Sequence, residues 1–307
     1  MEDKSPQLSI GVIGSGIAGV SAAYYLGKEH RVTLFESRER LGGHTHTVTV
    51  EDPSAGSVPV DTGFIVCNDR TYPHFHSFLE ELRVPIRSGD MSFGYYDENS
   101  NFGYAPTGVS GLVPQWSHLV NRSYLKLWMT LPRFNKRALR NLHSGSLTGL
   151  TLREYVEREN VSAEFVQLFL VPMGAAIWSS ADEKLLETPA ETFFGFFKNH
   201  GLLTLFDRPQ WQTVVGGSHQ YLKAFEREFS GKIRLNSRVS SVKRPMGKVE
   251  ISTDQGSCEE FDLVVFACHA DQVLPILEDA TEIERTLFAP WKYHSNRTVL
   301  HTDKSYL

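Results

Sequence analysis

Cysteine is scarce, with three in 307 residues (Cys67, Cys258 and Cys268) and no C-x-x-C spacing. That argues against a disulfide framework and a thiolate zinc site, and it fits a reducing compartment. Long hydrophobic runs are absent, so no stretch is expected to cross a membrane. The opening MEDKSPQLSI is acidic and polar ahead of one short apolar run, unlike a signal peptide. Positive charge is not in excess either. Thirty-one Lys and Arg against 36 Asp and Glu leave a net charge of −5, which gives no overall electrostatic case for nucleic acid or an anionic membrane. Internal repeats and low-complexity tracts are also missing. What is present is a composition 41% apolar and 22% charged, as in soluble globular proteins, on a chain long enough for one large or two medium domains. The expected location is the cytoplasm, with peripheral membrane contact left open.

Along the chain, the texture changes twice. LSIGVIG reads as a buried parallel strand, IAGVSAAYYLGKEH as a helix and RVTLFE as a second strand. Strand, helix and strand within 30 residues form a βαβ unit. SVPVDTGFIV reads as a further strand, and TYPHFHSFLEELRV as a helix with Phe75, Phe78, Leu79 and Leu82 on one face. After about Pro85, MSFGYYDENSNFGYAP has the alternation of a hairpin. Residues 109–200 then read as mostly helical, interrupted at Pro114, Pro132, Pro172 and Pro189, with TLRE at Thr151 as a capping box. From Val214 the α/β texture returns: KIRLN, RVSSVKR, KVEIST and FDLVVFA read as strands, and WKYHSNRTVLHTD as the start of another. The expected organisation is a doubly wound α/β domain in two segments, 1–85 and 208–278, with a helix-rich substrate domain inserted at 86–207 and a second substrate segment starting at 279–307.

The strongest chemical signal is Gly14-Ser15-Gly16-Ile17-Ala18-Gly19, a G-x-G-x-x-G between a strand and a helix, with Glu36 ending the next strand. That context is the dinucleotide-binding arrangement. Gly14 permits the tight turn, Gly16 lets the backbone approach a pyrophosphate, and Gly19 lets the helix pack on the strand. The helix N-terminus offers unpaired N–H groups to phosphate. The Glu36 carboxylate can accept hydrogen bonds from ribose hydroxyls and would repel a 2′-phosphate, so NADP is not expected.

Next comes ESRERLGGHTHTVTV. His44 and His46 alternate as on a strand, which raises a metal pair as one reading. A metal needs further ligands, and nothing in the sequence brings His30, His74 or His76 to them. The alternative is that Gly42-Gly43 carries the function. The run Glu36-x-x-x-Arg40-x-Gly42-Gly43, with Thr45 beyond it, closely resembles a second fingerprint of the flavin-dependent amine oxidase superfamily, which favours the glycines. WQTVVGGSHQYLKAF and the strands after it resemble the return of that family's chain to its FAD domain.

The resemblance implies FAD as the cofactor, with no metal. It implies that Gly14, Ser15, Gly16, Ile17, Ala18 and Gly19 meet the pyrophosphate, that Glu36 and Ser37 meet the ribose, and that Arg40, Gly42, Gly43, His44 and Thr45 form a second loop closing over the dinucleotide. His44 stands where many members carry Arg, so a fixed charge is lost there. Val239 would bind adenine through its backbone, Ala267 would end a strand beside the cofactor, and Gly63 and Phe64 would neighbour the flavin ring. His269 reads either as a strand-end residue beside the cofactor or as the start of a helix. Trp178 and Trp211 read as core or as pocket walls, and ETFFGFFKNHGLL as a buried helix, a lid or a membrane-facing patch, burial being the commonest outcome.

LVPMGAAIWSS, RPQWQTVVGGS and VLHTD resemble a bacterial and plant branch of predicted NAD/FAD-binding proteins found beside cyclopropane fatty acid synthases. That implies a lipid-related substrate and a lipid-modifying methyltransferase partner. The expected activity is hydride transfer from a C–N or C–C bond to flavin. The alternatives are a polyene or fatty-acyl desaturase or isomerase, and a non-catalytic FAD-binding partner. No catalytic residue stands out, as is compatible with flavin chemistry. Members of the family extend past residue 307, so the resemblance also implies a fragment or a truncated chain.

Overall fold

The fold is that of a computed structural model. It describes residues 6–89, 91, 93–97, 102–104, 122–178, 182–204, 208–293, 295 and 299–302. In chain order the main elements are β1 (Ser9–Ile13), α1 (Ile17–Leu26), β2 (Arg31–Phe35), β3 (Thr47–Asp52), β4 (Gly56–Asp61), α2 (Pro73–Glu81), β5 (Ile86–Ser88), β6 (Tyr95–Asp97), β7 (Phe102–Tyr104) and α3 (Arg122–His143). They continue with α4 (Leu152–Arg158), α5 (Val171–Trp178), α6 (Ala190–Asn199), β8 (Trp211–Val214), α7 (His219–Glu228), β9 (Lys232–Arg234), β10 (Val239–Lys243), β11 (Val249–Thr253), β12 (Cys258–Phe261), β13 (Leu263–Phe266) and α8 (Glu282–Phe288).

The chain divides into two compact units. The first holds Met1–Cys67, Tyr72–Ser88 and Gln212–Leu307, and the second Asn68–Thr71 and Gly89–Trp211. Residues 279–307 were expected to begin a substrate segment, but they fall in the first unit. One reason is the Arg244 guanidinium. It donates to Asp279 at 3.0 Å and to Glu284 at 2.6 Å, tying α8 to the end of β10.

The first unit is built on a parallel sheet of order β9-β2-β1-β13. β1 pairs with β2 on one side and β13 on the other, in a register that puts Ile13 beside both Phe35 and Phe266. All three strands therefore end at one level. Ile10, Val12, Val32 and Leu34 are buried, so these strands read as unbroken apolar runs. Val20 and Ala23 of α1 are also fully buried; the small residues of that helix allow close packing on the sheet. An antiparallel sheet β10-β11-β12 and a hairpin β3-β4 complete the unit's main strands.

The second unit is mainly helical around an aromatic core that includes Phe134, Tyr155, Phe165, Phe193 and Phe194. The capping box at Thr151 is present: the Thr151 N–H donates to the Glu154 carboxylate at 2.8 Å, and the Glu154 N–H donates to Thr151 Oγ1 at 3.2 Å. The β6-β7 hairpin pairs Tyr95 with Tyr104. ETFFGFFKNHGLL takes its buried reading, since Phe193, Phe194 and Phe197 of α6 lie in the core.

Three sequence expectations are corrected. Pro132 does not interrupt its helix, because α3 runs through it; one missing N–H is outweighed by the packing of Leu127, Leu131, Phe134 and Ala138 along the buried face. Pro172 also lies within a helical run, because the chain is already helical from Ala163 and passes through a π-helical turn at Val166–Leu170 before α5; the wider turn accommodates the missing N–H. WKYHSNRTVLHTD forms no strand among its described residues. Pro114 lies outside the described residues. Among the described residues, no helix is long and apolar enough to cross a membrane.

Candidate functional site

The level ends of β1, β2 and β13 set the site. β1 is where strand order reverses, with β2 to one side and β13 to the other, and ligands of open α/β sheets bind in the crevice beyond such a point. The next residues, Gly14, Glu36 and Ala267, line a cleft of ≈ 1080 Å³ in the first unit. That is just above the roughly 300–1,000 Å³ seen for small-molecule and cofactor sites.

Gly14 has φ of 98°, and a Cβ there would meet the Ala267 carbonyl oxygen at 2.8 Å. Only a residue without a side chain lets the turn pass beneath the end of β13. At Gly19 the constraint is contact: a Cβ would lie 1.8 Å from the Gly14 carbonyl oxygen. Gly19 does not line the cleft; it lets α1 seat on the turn. α1 begins with no side-chain cap, so its first N–H groups face the cleft at Gly16, Ile17 and Ala18 without a protein acceptor from a capping side chain.

The paired glycines lie directly against this turn. The Gly42 N–H donates to the Ser15 carbonyl at 2.9 Å, and a Cβ on Gly43 would stand 3.1 Å from Gly16 Cα. Gly42, Gly43, His44 and Thr45 all line the cleft. Arg40 does not. Its guanidinium donates to the carbonyls of Leu41, Gly43 and Thr45 at 3.2, 3.2 and 2.9 Å. Arg40 therefore folds the second loop instead of facing the cavity, and burial lowers its pKa, with Arg38 adding to the effect.

Glu36 is buried, 7% exposed. One carboxylate oxygen accepts from the Ser15 N–H at 3.1 Å and closely from the Ser15 hydroxyl. The other accepts from the Arg38 N–H at 2.9 Å and the Ser37 hydroxyl at 3.2 Å. The expected ribose acceptor thus has its roughly four lone-pair sites occupied by its own chain. A ribose hydroxyl would have to displace a serine hydroxyl.

Gly63 is outside the cleft lining; a Cβ there would collide with the His44 carbonyl oxygen at 1.9 Å, so this glycine serves the packing of the second loop. Phe64 does line the cleft, edge-on to Phe75 at 5.2 Å, and Phe75 is edge-on to Tyr221 at 5.7 Å. The Tyr221 hydroxyl and Thr45 Oγ1 are 2.6 Å apart and buried. Burial pushes the Tyr221 pKa up to about 12. Tyr221 is placed by α7, whose first residues are held by Asp61: its carboxylate accepts from the Ser218 N–H at 2.9 Å and the Ser218 hydroxyl at 2.8 Å. Asp61, at the end of β4, therefore anchors a cleft wall.

Val239 and Ala267 line the cleft from β10 and the end of β13. His269 satisfies both of its readings: it precedes a short helical turn, its N–H donating to Gln272 at 3.3 Å, and it lines the cleft. Its ring stacks between Tyr293, at 4.2 Å, and His44, at 5.5 Å. His46 instead meets Thr62 Oγ1 at 2.8 Å, so the two histidines diverge. No group of three or more His, Cys, Asp or Glu able to hold a metal occurs among the described residues. Tyr72, Tyr221, Asp271 and Tyr293 were not singled out in sequence, and Phe75 was expected only on the apolar face of a helix; the fold brings all five to the cleft. Trp178 packs against Phe193 and Phe196 at 5.3 and 4.9 Å, and neither it nor Trp211 lines the cleft.

A family model described as flavin containing amine oxidoreductase matches residues 17–298. A probable polyamine oxidase 4 of Arabidopsis thaliana is 27% identical over 276 residues, covering 84% of this chain and 50% of its own length. The flavin-containing amine oxidase A of Bos taurus is 22% identical over 266 residues, covering 82% and 47%. The chain thus spans about half the length of the curated relatives it matches. Among solved structures, a putrescine oxidase bound to putrescine superposes with a TM-score of 0.65 at 17% identity, over 92% of this chain and 63% of that one. A fatty acid isomerase from P. acnes gives a TM-score of 0.63 at 18% identity, over 93% and 64%.

The residues present fit such a dinucleotide. The uncapped start of α1 suits a pyrophosphate. Asp271 Oδ1 is buried at the cleft with no partner among the described residues, an acceptor that a sugar or ribityl hydroxyl would satisfy.

Proposed function

This chain belongs to the flavin-containing amine oxidoreductase family, and from that premise we propose that it binds FAD in the cleft and acts as an FAD-dependent oxidoreductase. The observation that carries the reading is the contact between the two glycine loops, Gly42 N–H on the Ser15 carbonyl and Gly43 against Gly16. Two bare stretches of backbone meeting at a helix N-terminus suit a diphosphate and little else of that size. Gly16, Ile17 and Ala18 hold the pyrophosphate by backbone N–H groups. Glu36 orders the glycine turn and, on exchange of a serine hydroxyl, the ribose. Val239 lies where adenine would rest, with Arg40 and Gly63 holding the second loop from behind. The bound flavin would accept a hydride from a C–H bond of the substrate. The chain's own part is to orient the reactants and exclude water, through the wall of Phe64, Phe75 and Tyr221.

The face formed by Phe64, Phe75 and Tyr221 is aromatic, which suits an apolar or lipid-derived substrate as well as the hydrocarbon part of an amine. Oxidation of a C–N bond and rearrangement or desaturation of an apolar chain are both consistent with it; a lipid-modifying methyltransferase partner would accord with the second. The test is the absorption spectrum of the purified chain after incubation with FAD and gel filtration. Retained flavin absorbance, reduced in Glu36→Gln and unaffected by excess NAD, is expected. The assignment is falsified if FAD passes through unbound while NAD is retained. Peroxide release on adding amines, against loss or migration of a double bond on adding unsaturated acyl chains, separates the two reactions. Bound FAD that neither substrate class reduces would instead indicate a binding partner.

A further inference from the structure

The net charge of −5 conceals a local reversal. Helix α3 carries six Lys and Arg residues and no Asp or Glu over 22 positions. Its inner face is spent on the core of the second unit, where Leu127, Leu131, Phe134 and Ala138 are buried and Phe134 lies 5.7 Å from Phe194. Its outer face is ordered. Leu125, Met129, Arg133, Lys136, Arg140 and His143 follow one another at steps of four, four, three, four and three, the spacing that keeps side chains on one stripe of a helix. All six are exposed, Met129 at 63% and Leu125 at 45%. From Leu125 to His143 the stripe is about 27 Å long.

Two neighbouring cations are neutralised: Lys126 by Glu164 at 3.2 Å and Arg137 by Glu159 at 3.3 Å. Arg133, Lys136 and Arg140 have no such partner among the described residues. Three unpaired cations in line, continued by two exposed thioether and aliphatic side chains, need an occupant that offers negative charge over a long flat strip and an apolar layer just beneath it.

We propose that the outer stripe of α3 docks on the surface of an anionic phospholipid bilayer. Arg133, Lys136 and Arg140 would lie among the headgroup phosphates and carboxylates, and Met129 and Leu125 would enter the acyl boundary. Nucleic acid phosphates would give the two apolar side chains no partner. An acidic protein would have to match the row residue by residue, whereas a fluid anionic surface adjusts to it. This inference does not depend on what occupies the cleft of the first unit.

The test is co-sedimentation of the full chain with vesicles of phosphatidylcholine, and with vesicles in which a third of the lipid is phosphatidylserine. Binding is expected to the second only. It should fall as salt rises from about 0.1 M to about 1 M, where the Debye length shortens from about 10 to about 3 Å. Each cation near such a surface is worth about fivefold in partitioning, so Arg133→Ala/Lys136→Ala/Arg140→Ala should bind about 100-fold more weakly. Met129→Ser should reduce the binding that survives high salt. A control with the same charge change elsewhere, Lys198→Ala/Lys232→Ala/Arg285→Ala, should bind as the wild type does, and circular dichroism of both triple variants should match it. Equal binding to neutral vesicles, no binding to either, or equal losses in the two triple variants would each overturn the proposal.

Discussion

Replacing Gly19 by Ala adds one methyl group at the tightest point of the cleft's frame. The new Cβ would stand 1.8 Å from the Gly14 carbonyl oxygen, 2.9 Å from its carbon and 3.2 Å from Ala267 Cβ. The first two are backbone atoms of a turn tied on both sides: the Gly14 N–H donates to the Phe35 carbonyl at 2.8 Å and the Ala267 N–H to the Ile13 carbonyl at 2.8 Å. No rotamer change can relieve the clash, so α1 must retreat from β1. Overpacking of this kind costs about 3 kcal/mol, the upper part of its usual range. Alanine's better helix propensity returns about 1 kcal/mol. The net of about 2 kcal/mol should lower the thermal midpoint of the first unit by roughly 4–8 °C. Gly195→Ala is the matched control. Gly195 lies inside α6 with nothing within 4 Å of its added Cβ, so the same chemical change should raise the midpoint of the second unit by roughly 2–4 °C. Differential scanning calorimetry of the three chains reads both. A Gly19→Ala chain that melts at or above the wild type would refute the claim that the helix is seated on bare backbone.

Tyr221→Phe leaves the buried Thr45 hydroxyl without its partner and should cost about 1–2 kcal/mol in urea unfolding, with weakened FAD binding. The Tyr221 pKa of about 12 exceeds the ordinary 10. The unfolded chain therefore loses this proton first as pH rises, so the stability linked to the protonated phenol is intact below pH 10 and drains away between 10 and 12. A pH series of urea midpoints, run with Tyr221→Phe, would show that loss only in the wild type. Asp61→Ala removes the acceptor at the start of α7 and should cost about 2–3 kcal/mol, as charge-assisted bonds to Ser218 are lost; an unchanged midpoint would contradict the anchoring role. Glu284, held by Arg244 and by the N–H and hydroxyl of Thr281, has its pKa pushed down to about 2. Its contribution is present above about pH 4.5 and lost as pH falls towards 2, so hydrogen exchange in α8 should quicken across that window.

Much of the dinucleotide frame was legible in the sequence because it is local. Apolar runs of strand length, an Ala-rich helix and glycines at turn positions impose the βαβ unit within 30 residues, and the spacing from Gly19 to Glu36 follows from the length of one helix and one strand. The roles of particular side chains were less legible. Arg40 and Gly63 turned out to serve the second loop, since their neighbours are set by how that loop folds back on itself. Glu36 proved to be saturated by Ser15, Ser37 and Arg38, which spacing cannot reveal. Pro132 passed through a helix because burial of one face outweighed one absent hydrogen bond.

The sequence by itself determined that strand, turn and helix would present bare backbone and a carboxylate at one sheet edge, since covalent spacing and side-chain size decide such things. Only the tertiary structure decided that Tyr221, Phe75, Asp271 and Tyr293, up to 218 positions apart by number, would wall the same cleft, and that three cations on α3 would stand unpaired on one stripe. Contacts between residues distant in the chain depend on how sheet and helices pack, and that packing follows from the total burial of many side chains rather than from any short motif.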